Sequence, residues 1–359
     1  MRGILDSNAS YERWIGQQIP IIQPDLEFKH SQMRTSCFAF MRATFYRWAE
    51  VFGHVSVDLM TGPKILAVGD LHAENFGTWR DAEGRLVWGI NDFDEVSLLP
   101  YSFDLVRLGV SIQLAIETNQ LRLSHDEAIE AILAGYEKSL RQGGKPFVLA
   151  EEHQGLRKLA TGVLRSPSAF WTKLDSLPSI HDVDNPIARA ALWQALPIPN
   201  TNCRFRARRS GLGSLGRPRY VAIAEWMGGF VAREAKALAP SAAEWAGLSE
   251  RSDTPHYSLI LSRAIRCQDP FVQFHGKWLI RRLAPDCSRI ELSQLPEERE
   301  ELRLVEAMGR ETANVHLGTP ECRQALLDDL KKLPGKWLKH ACNAMFEAVQ
   351  DDFKAFVRG

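Results

Sequence analysis

The segment AVGDLHAENFGTW, residues 67–79, sets four polar side chains directly after an apolar run. The sequence KILAVGD predicts a short buried strand over residues 64–70. Asp70, His72, Glu74 and Asn75 follow before the next aromatic residue. Acidic groups beside a buried strand are costly unless they pair with cations or bind a metal ion. The fold must therefore bring counter-charges or a ligand to this segment.

Composition excludes several classes of partner. The 359 residues include 44 Lys and Arg and 44 Asp and Glu, and zero net charge gives no bulk attraction to nucleic acid or to a membrane. Six scattered cysteines form no C-x-x-C pair, which disfavours a zinc site and is typical of a reduced cytosolic protein. No secretory leader is visible, and no stretch has the roughly 18 apolar residues of a spanning helix. We therefore expect a cytoplasmic protein with no nucleic-acid or membrane partner.

The pattern along the chain predicts an α+β fold of two or three lobes. Helices are predicted over 31–60 and 103–140, the second with a new start at Ser124 and a capping box to Glu127. A hairpin is predicted to turn at 81–84, and β-rich sequence begins after the prolines at 197 and 199. The predicted organisation is a mainly helical lobe over 1–199, a small antiparallel β-rich lobe over 200–283 and a helical return over 284–359.

Three or four oxygen ligands are predicted to meet in one cleft. Asp70 and Asn75 are five positions apart, and Asp92 follows the hairpin in INDFDE. Because a hairpin returns to its start, Asp92 and its neighbour Asp94 can lie beside Asp70. Such ligands suit Mg²⁺, and phosphoryl transfer needs one carboxylate for the attacking hydroxyl and an Asn and an Asp for the metal. The alternative is that these residues only cap turns.

A second candidate site is SGLGSLGRPRYVAIAEWMGGFVAREAK. Its G-x-G-x-x-G could belong to a dinucleotide fold, but that fold needs a helix after the glycines, whereas Arg-Pro and a β-rich run follow here. Strand, glycine loop, strand, turn and strand is the phosphate-covering order of kinases, with a lysine on the third strand. Lys236 is the predicted phosphate lysine and Arg233, on the opposite strand face, its rival. The predicted loop residues are Gly211, Gly213, Ser214 and Gly216. The alternative is an ordinary hairpin loop.

The order of the two sites is reversed relative to a kinase, because Asp70 precedes Lys236 by 166 residues. The 69 residues before Asp70 read as helical and leave no room for a β-rich nucleotide lobe. Circular permutation reconciles the order, with the chain cut just before the catalytic loop. The amphipathic run RLVEAMGRETANVHLGT after the strand KWLIRRL supports it, since strand, connector and helix lead from hinge to large lobe.

GDLHAENFG, INDFDE and SFDLVRL resemble the aminoglycoside phosphotransferase and protein-kinase-like superfamily. With SQMRTSCFAFMRATFYRWA, GLGSLGRPRYVAI and REAKALAPSA, the chain more closely resembles the bacterial domain-of-unknown-function family 2252, which looks like permuted kinases. The resemblance implies Asp70 as catalytic base, Asn75 and Asp92 at metal positions, and Lys236 with residues 211–216 at the phosphates. It also implies further roles for Asp104, which would steady the catalytic loop, His72, which would assist the base, Arg42, which could reach phosphate, and Glu244 or Glu250, either of which could pair with Lys236.

The expected function is ATP- and Mg²⁺-dependent phosphoryl transfer to an unidentified hydroxyl acceptor, with residues 281–285 (RRLAP) offering backbone hydrogen bonds to adenine. Transfer of AMP by the same residues stays open. So does a pseudokinase that binds nucleotide without turnover. A third class is a metal-dependent hydrolase using His72, Glu74, Asp92 and Asp94, which would leave the glycine loop without a role.

Overall fold

The computed structural model describes residues 2–149, 153–162, 166–197, 203–251, 256–285, 287, 292 and 301–359. Within these ranges the protein is a mixed α+β structure with antiparallel sheets. The helices are α1 (Ile4–Gln18), α2 (Gln23–Met33), α3 (Cys37–Ala43), α4 (Phe45–Val55), α5 (Tyr101–Glu117), α6 (His125–Gln142), α7 (Gln154–Gly162), α8 (Pro167–Asp175), α9 (Pro186–Ala195), α10 (Ala242–Trp245), α11 (His256–Arg263), α12 (Glu301–His316), α13 (Cys322–Lys332) and α14 (Trp337–Arg358). The strands are β1 (Lys64–Ala67), β2 (Phe76–Arg80), β3 (Leu86–Ile90), β4 (Ser97–Pro100), β5 (Phe147–Val148), β6 (Ser179–Ile180), β7 (Arg204–Ala207), β8 (Arg219–Trp226), β9 (Gly229–Ala237), β10 (Gln273–His275) and β11 (Trp278–Leu283).

The single helix predicted over 31–60 is wrong, because the structure divides this segment into the end of α2, α3, α4 and a short 3₁₀ helix, Val57–Thr61. Ser36 starts α3 by accepting a hydrogen bond from the amide of Ala39, a typical N-cap. The hydroxyl of Thr44 donates to the carbonyl of Phe40 at 2.7 Å, at the break between α3 and α4. Polar side chains that bond to the backbone thus interrupt an apolar pattern that would otherwise predict one continuous helix.

Several local predictions are confirmed. The hairpin pairs β2 with β3 and turns at 81–84, and the carboxylate of Asp81 accepts from the amides of Glu83 and Arg85. Ser124 and Glu127 form the predicted capping box of α6. The run RYVAIAEW is β8 over its whole length.

Two small sheets and α5 surround the loop that carries Asp70. β1 pairs with β4, and β2, β3 and β5 form a three-stranded sheet. α5 contacts β1, β4 and the short 3₁₀ helix Ala73–Asn75. α12 packs against α6, and α14 packs along α5. This helical part, with its small sheets, contains the largest apolar core.

The six-stranded sheet has the order β10-β11-β9-β8-β7-β6. α9 covers its outer face. On its inner face, alternate residues of β8, β9 and β11 align in three rows, since successive side chains of a strand point to opposite faces. From the helical part outward, the rows are Arg219, Lys236 and Leu279; Val221, Glu234 and Arg281; and Ile223, Ala232 and Leu283. Phe170 and Leu174 of α8 pack on the last, apolar row.

The predicted boundary at 199/200 lies outside the described residues. On its N-terminal side, α8, β6 and α9 already belong to the surroundings of the six-stranded sheet, because β6 pairs with β7 and the two helices cover opposite faces. The sheet therefore draws on residues from 167 onward.

Candidate functional site

A cavity of about 440 Å³ lies between the inner face of the six-stranded sheet and the loops that follow β1 and β3. The glycine-containing loop between β7 and β8 forms part of its wall. Two stretches that are distant in the chain therefore meet around one space. Most of the predicted site residues line this cavity, namely Asp70, His72, Asn75, Asp92, Asp94, Gly211, Gly213 and Ser214.

Asp70 lies just after β1 and is held by Arg107 of α5. Arg107 donates from Nε to Oδ1 of Asp70 at 3.0 Å and also from Nη2. The guanidinium is fully buried, packs on the rings of Phe45 and Trp48, and donates to the carbonyl of Met41. Burial raises the pKa of Asp70 to about 6, against the opposing effect of the Arg107 charge. A carboxylate with this pKa can accept a proton near neutral pH.

Asp104, in the first turn of α5, fixes the backbone before Asp70. Its carboxylate accepts from the amides of Val68 at 2.6 Å and Gly69 at 2.9 Å. It also lies 2.9 Å from Nε2 of His316, whose Nδ1 is 2.8 Å from the hydroxyl of Tyr136. All of these side chains are buried. The end of α12 therefore supports the loop through one carboxylate.

Asn75 connects the loop after β1, which contains Asp70, to the loop after β3, which contains Asp92. Its Nδ2 donates to the main-chain carbonyls of Asp70 at 3.1 Å and Asp92 at 3.2 Å. Because the donor end of the amide is engaged, Oδ1 is the end that can coordinate a cation.

Lys236 of β9 is the link between the sheet and the acidic loop. Its Nζ lies 3.0 and 3.1 Å from the two carboxylate oxygens of Asp92 and 2.5 Å from Oδ2 of Asp94. Burial alone would raise the pKa of Asp92, but the charges of Lys236 and Arg281 outweigh it and hold that pKa well below its usual range. Burial, together with the charge of Asp92, raises the pKa of Asp94 to about 6. Lys236 is only 1% exposed, whereas the Asp92 side chain is 38% exposed.

Within the described residues, Asp92 and Asp94 supply the counter-charges of Lys236, and neither of its predicted partners, Glu244 and Glu250, does so. The helix α11 contributes Tyr257 to the cavity wall, and the ring of Tyr257 lies edge-on to that of Phe93 at 5.6 Å. The residue between the two aspartates is therefore packed against this helix.

Arg217 and Glu95 stabilise the loop after β3 that contains Asp92 and Asp94. Arg217 donates to Oε1 of Glu95 at 2.9 Å and lies 3.6 Å from Oδ2 of Asp94. The other oxygen of Glu95 accepts from the amide of Ala242 at 2.7 Å. Arg217 comes directly after the last glycine of the loop, so this ion pair joins the glycine loop to the acidic segment.

The glycine loop packs against both the segment that contains Asp70 and the N-terminal helices. A Cβ on Gly213 would lie 3.2 Å from Oδ2 of Asp70, so the backbone approaches the carboxylate closely. The carbonyl of Gly213 accepts from Nζ of the buried Lys29 at 3.2 Å. Gly216 lies outside the cavity wall, where its carbonyl accepts from the amide of Ile22 at 2.8 Å.

Arg42 and Glu74 form an ion pair of 2.6 Å at the cavity wall beside His72. Glu74 is therefore paired with Arg42, whereas Asp92 and Asp94 are both paired with Lys236. Arg233 lies on the outer side of β9, donates to the carbonyl of Ala195 at 2.9 Å and packs on Phe271. Of the two rival cations, the structure therefore brings Lys236 to the acidic loop.

Sequence reasoning missed Arg107, His316 and Arg217. Arg107 stands three residues after Asp104, so the helical repeat could have placed both on one face of α5. Arg217 follows the glycine loop directly, but its partner Glu95 is 122 residues away. No sequence signal pairs His316 with Asp104, which are 212 residues apart.

The oxygen donors fit a divalent cation that is shared with a phosphate ligand. Oδ1 of Asp94 is buried without a hydrogen-bond partner among the described residues, and the Asp92 carboxylate faces the cavity. No group of three or more His, Cys, Asp or Glu side chains in the described ranges is arranged to hold a metal by itself. Magnesium is commonly bound by one or two carboxylates with substrate phosphates completing its shell.

Residues 22–160 match the family described as "Uncharacterized protein conserved in bacteria (DUF2252)", which confirms the predicted resemblance to this family over that part of the chain. The glycine loop and Lys236 lie outside the matched residues. The matched residues include the Asp70 segment, the hairpin with Asp92, and α5. Neither the curated proteins nor the solved structures contain a match to the chain. Among the described helices, none combines the length and apolar character needed to cross a membrane.

Proposed function

We propose that the protein is an ATP- and Mg²⁺-dependent phosphotransferase that acts on a hydroxyl acceptor. The observation that carries this proposal is the contact of the buried Lys236 with Asp92, at 3.0 Å from its Nζ, because Asp92 lines the cavity together with Asp70 and the glycine loop. Phosphoryl transfer depends on such positioning of a base, metal-binding oxygens and a phosphate-binding lysine.

Each side chain has a separate task in this proposal. Asp70 accepts the proton of the acceptor hydroxyl, and Arg107 orients its carboxylate. Lys236 binds phosphate oxygens beneath the glycine loop. The apolar row of the sheet, together with α8, offers a surface for the adenine ring. Asn75, Asp92 and Asp94 would hold Mg²⁺, which supplies neutralisation of phosphate charge when bound. Asp104 and His316 keep the Asp70 loop in place.

The same arrangement supports a circularly permuted kinase-like fold. The glycine loop joins β7 to β8 and the lysine is on β9, as in the order of a kinase nucleotide lobe. β11 then leads toward α12, whose last residue His316 contacts Asp104 next to the catalytic segment. In this proposal, α12 from the C-terminal part of the chain takes the place of the helix that precedes the catalytic loop in a kinase.

Three alternatives use the same cavity. A nucleotide-binding pseudokinase is favoured by the partners of Lys236, which are aspartates of the acidic loop rather than a glutamate of the helix after β9. Transfer of AMP would use the same base, metal-binding residues and lysine. A hydrolase built on His72, Glu74, Asp92 and Asp94 is less well supported, because Glu74 is paired with Arg42.

The test is ATP consumption with Mg²⁺ across a library of hydroxyl-bearing metabolites, with products resolved as ADP or AMP plus pyrophosphate. We expect Asp70→Ala to bind ATP normally but lose turnover, and Asp92→Asn to weaken Mg²⁺–ATP binding in calorimetry. Asp351→Asn, with a 78% exposed side chain on α14, is the matched control. Equal turnover in all four proteins would refute the proposal, and ATP binding without any turnover would favour the pseudokinase.

A further inference from the structure

The middle row of the inner face holds an unusual group of charges. Glu234 of β9 is fully buried, and three arginines from other parts of the sheet are directed at it. Arg281 of β11 is its direct neighbour in register and donates at 2.6 Å. Arg219 of β8 lies 3.4 Å away, and Arg208, just after β7, donates to the same carboxylate.

One carboxylate cannot neutralise three guanidinium ions. Burial would raise the pKa of Glu234, but the charges of Arg208, Arg281 and Arg219 hold it well below its usual range, so the group keeps an excess of two positive charges. All three arginines line the cavity. Among the described residues, nine Arg or Lys and six Asp or Glu side chains line that cavity, so the excess is not cancelled nearby.

The geometry is suited to an anion. Arginine presents planar donors that match phosphate oxygens, and each guanidinium here retains donors beyond those spent on Glu234. Arg219 also donates to the hydroxyl of Ser214 at 2.9 Å, which connects this group to the glycine loop. Excess cationic charge in a semi-enclosed space is costly without a partner and favours binding of a polyanion.

We propose that Arg208, Arg219 and Arg281 form a phosphate-binding subsite distinct from Lys236, with Glu234 as the carboxylate that pairs with them in the absence of a ligand and competes with the ligand for their donors. Residues two apart on a strand are about 6.6 Å apart, so Glu234 and Arg281 are one step from Lys236 and one step from the apolar row. Arg219 lies beside Lys236 in register and reaches Glu234 from that neighbouring row. The ligand therefore carries several phosphate groups along the strand, not a single one. If the proposed function is correct, these groups are the phosphates of ATP. A polyphosphate or a phosphorylated acceptor has the same chemistry.

The test measures calorimetric binding of inorganic tripolyphosphate, ATP, inorganic phosphate and adenosine to the full chain. Arg281→Gln and Arg208→Gln should each weaken tripolyphosphate binding about tenfold, since a charged hydrogen bond is lost. Glu234→Gln should strengthen it, because the competing carboxylate disappears while the arginines stay. Arg204→Gln, 45% exposed on β7, is the matched control and should bind as the native chain does. Arg208 is the safer substitution for folding, because its side chain is 20% exposed, and circular dichroism verifies each variant.

The outcomes separate this subsite from the proposed function. If the native chain binds ATP, and folded Arg208→Gln and Arg281→Gln bind it equally well, the subsite is refuted and the kinase proposal stands. If the native chain binds tripolyphosphate but not ATP, and the arginine variants lose this binding, the subsite is supported and ATP is refuted as its ligand. Binding of none of the phosphate probes overturns both. A Glu234→Gln variant that is folded but binds more weakly contradicts the proposed part of Glu234.

Discussion

The ammonium group of Lys236 lies 3.0 Å from Oδ1 of Asp92, although 144 residues separate them in the chain. Lys236 is buried on the inner face of β9, and Asp92 faces the cavity. A buried lysine needs anionic partners, and here they come from a loop on the other side of the cavity. The pair therefore joins the six-stranded sheet to the helical part at the candidate site.

Replacing Lys236 by methionine should weaken Mg²⁺–ATP binding about tenfold or more, because a charged contact to phosphate is lost. The pKa of Asp92 should rise in the variant, since the lysine charge lowers it. Titration calorimetry and NMR of the Asp92 carboxyl measure the two effects. Arg233→Met is the matched control, on the same strand but the outer face. Equal loss of binding in both variants would indicate general damage to β9 and contradict the assigned contact.

ATP turnover should decline as pH falls through about 6, because the Asp70 carboxylate, with its pKa of about 6, becomes protonated and can no longer accept a proton. Arg107 lowers that pKa, so Arg107→Gln should move the acid limb of the rate profile to higher pH. Arg107→Lys keeps the charge and should move it less. Rates between pH 5 and 8 provide the measurement. If the acid limb does not move in Arg107→Gln, protonation of Asp70 does not control the rate.

Glu311 of α12 should make stability fall as pH rises. Burial raises its pKa to about 7, above the ordinary value of 4.5, so the folded state binds the proton more tightly than the unfolded state. The resulting stability is fully present below pH 4.5 and is lost as pH rises through 7, by roughly 3 kcal/mol at about 1.4 kcal/mol per pKa unit. Urea unfolding of Glu311→Gln should show a smaller slope between pH 5 and 8 than the native chain. The exposed Glu225→Gln should keep the native slope.

Gly135→Ala should destabilise the fold by on the order of 3 kcal/mol, because the added methyl overpacks the contact between α6 and α12. A Cβ at Gly135 would lie 2.1 Å from the carbonyl oxygen of Glu306. Gly16→Ala on the exposed side of α1 is the control, with its nearest atom 3.9 Å away. It should be neutral or stabilising by up to about 1 kcal/mol, as helix propensity predicts. Urea unfolding distinguishes the two, and similar values would show that α6 and α12 can move apart.

Local features of this fold were accessible from the sequence. The hairpin over 76–90 is confirmed because its turn chemistry lies within four residues, and the capping box of Ser124 and Glu127 for a similar reason. The helix predicted over 31–60 is wrong because side-chain bonds at Ser36 and Thr44 outweigh apolar periodicity. In the candidate site, the loop of Asp70 and Asn75 and the cation at 236 were singled out from motif spacing alone.

By itself, the sequence determined where the hairpin over 76–90, its turn and the cap of α6 form, because those depend on neighbours within a few residues. It also determined that Lys236 and Glu234 share one face of β9, since strand alternation is local. Only the tertiary structure decided that Lys236 meets Asp92, that Arg107 holds Asp70, and that three arginines surround Glu234. Those partners are chosen by how distant elements pack, and no periodicity in the chain encodes which residue lies opposite across the cavity.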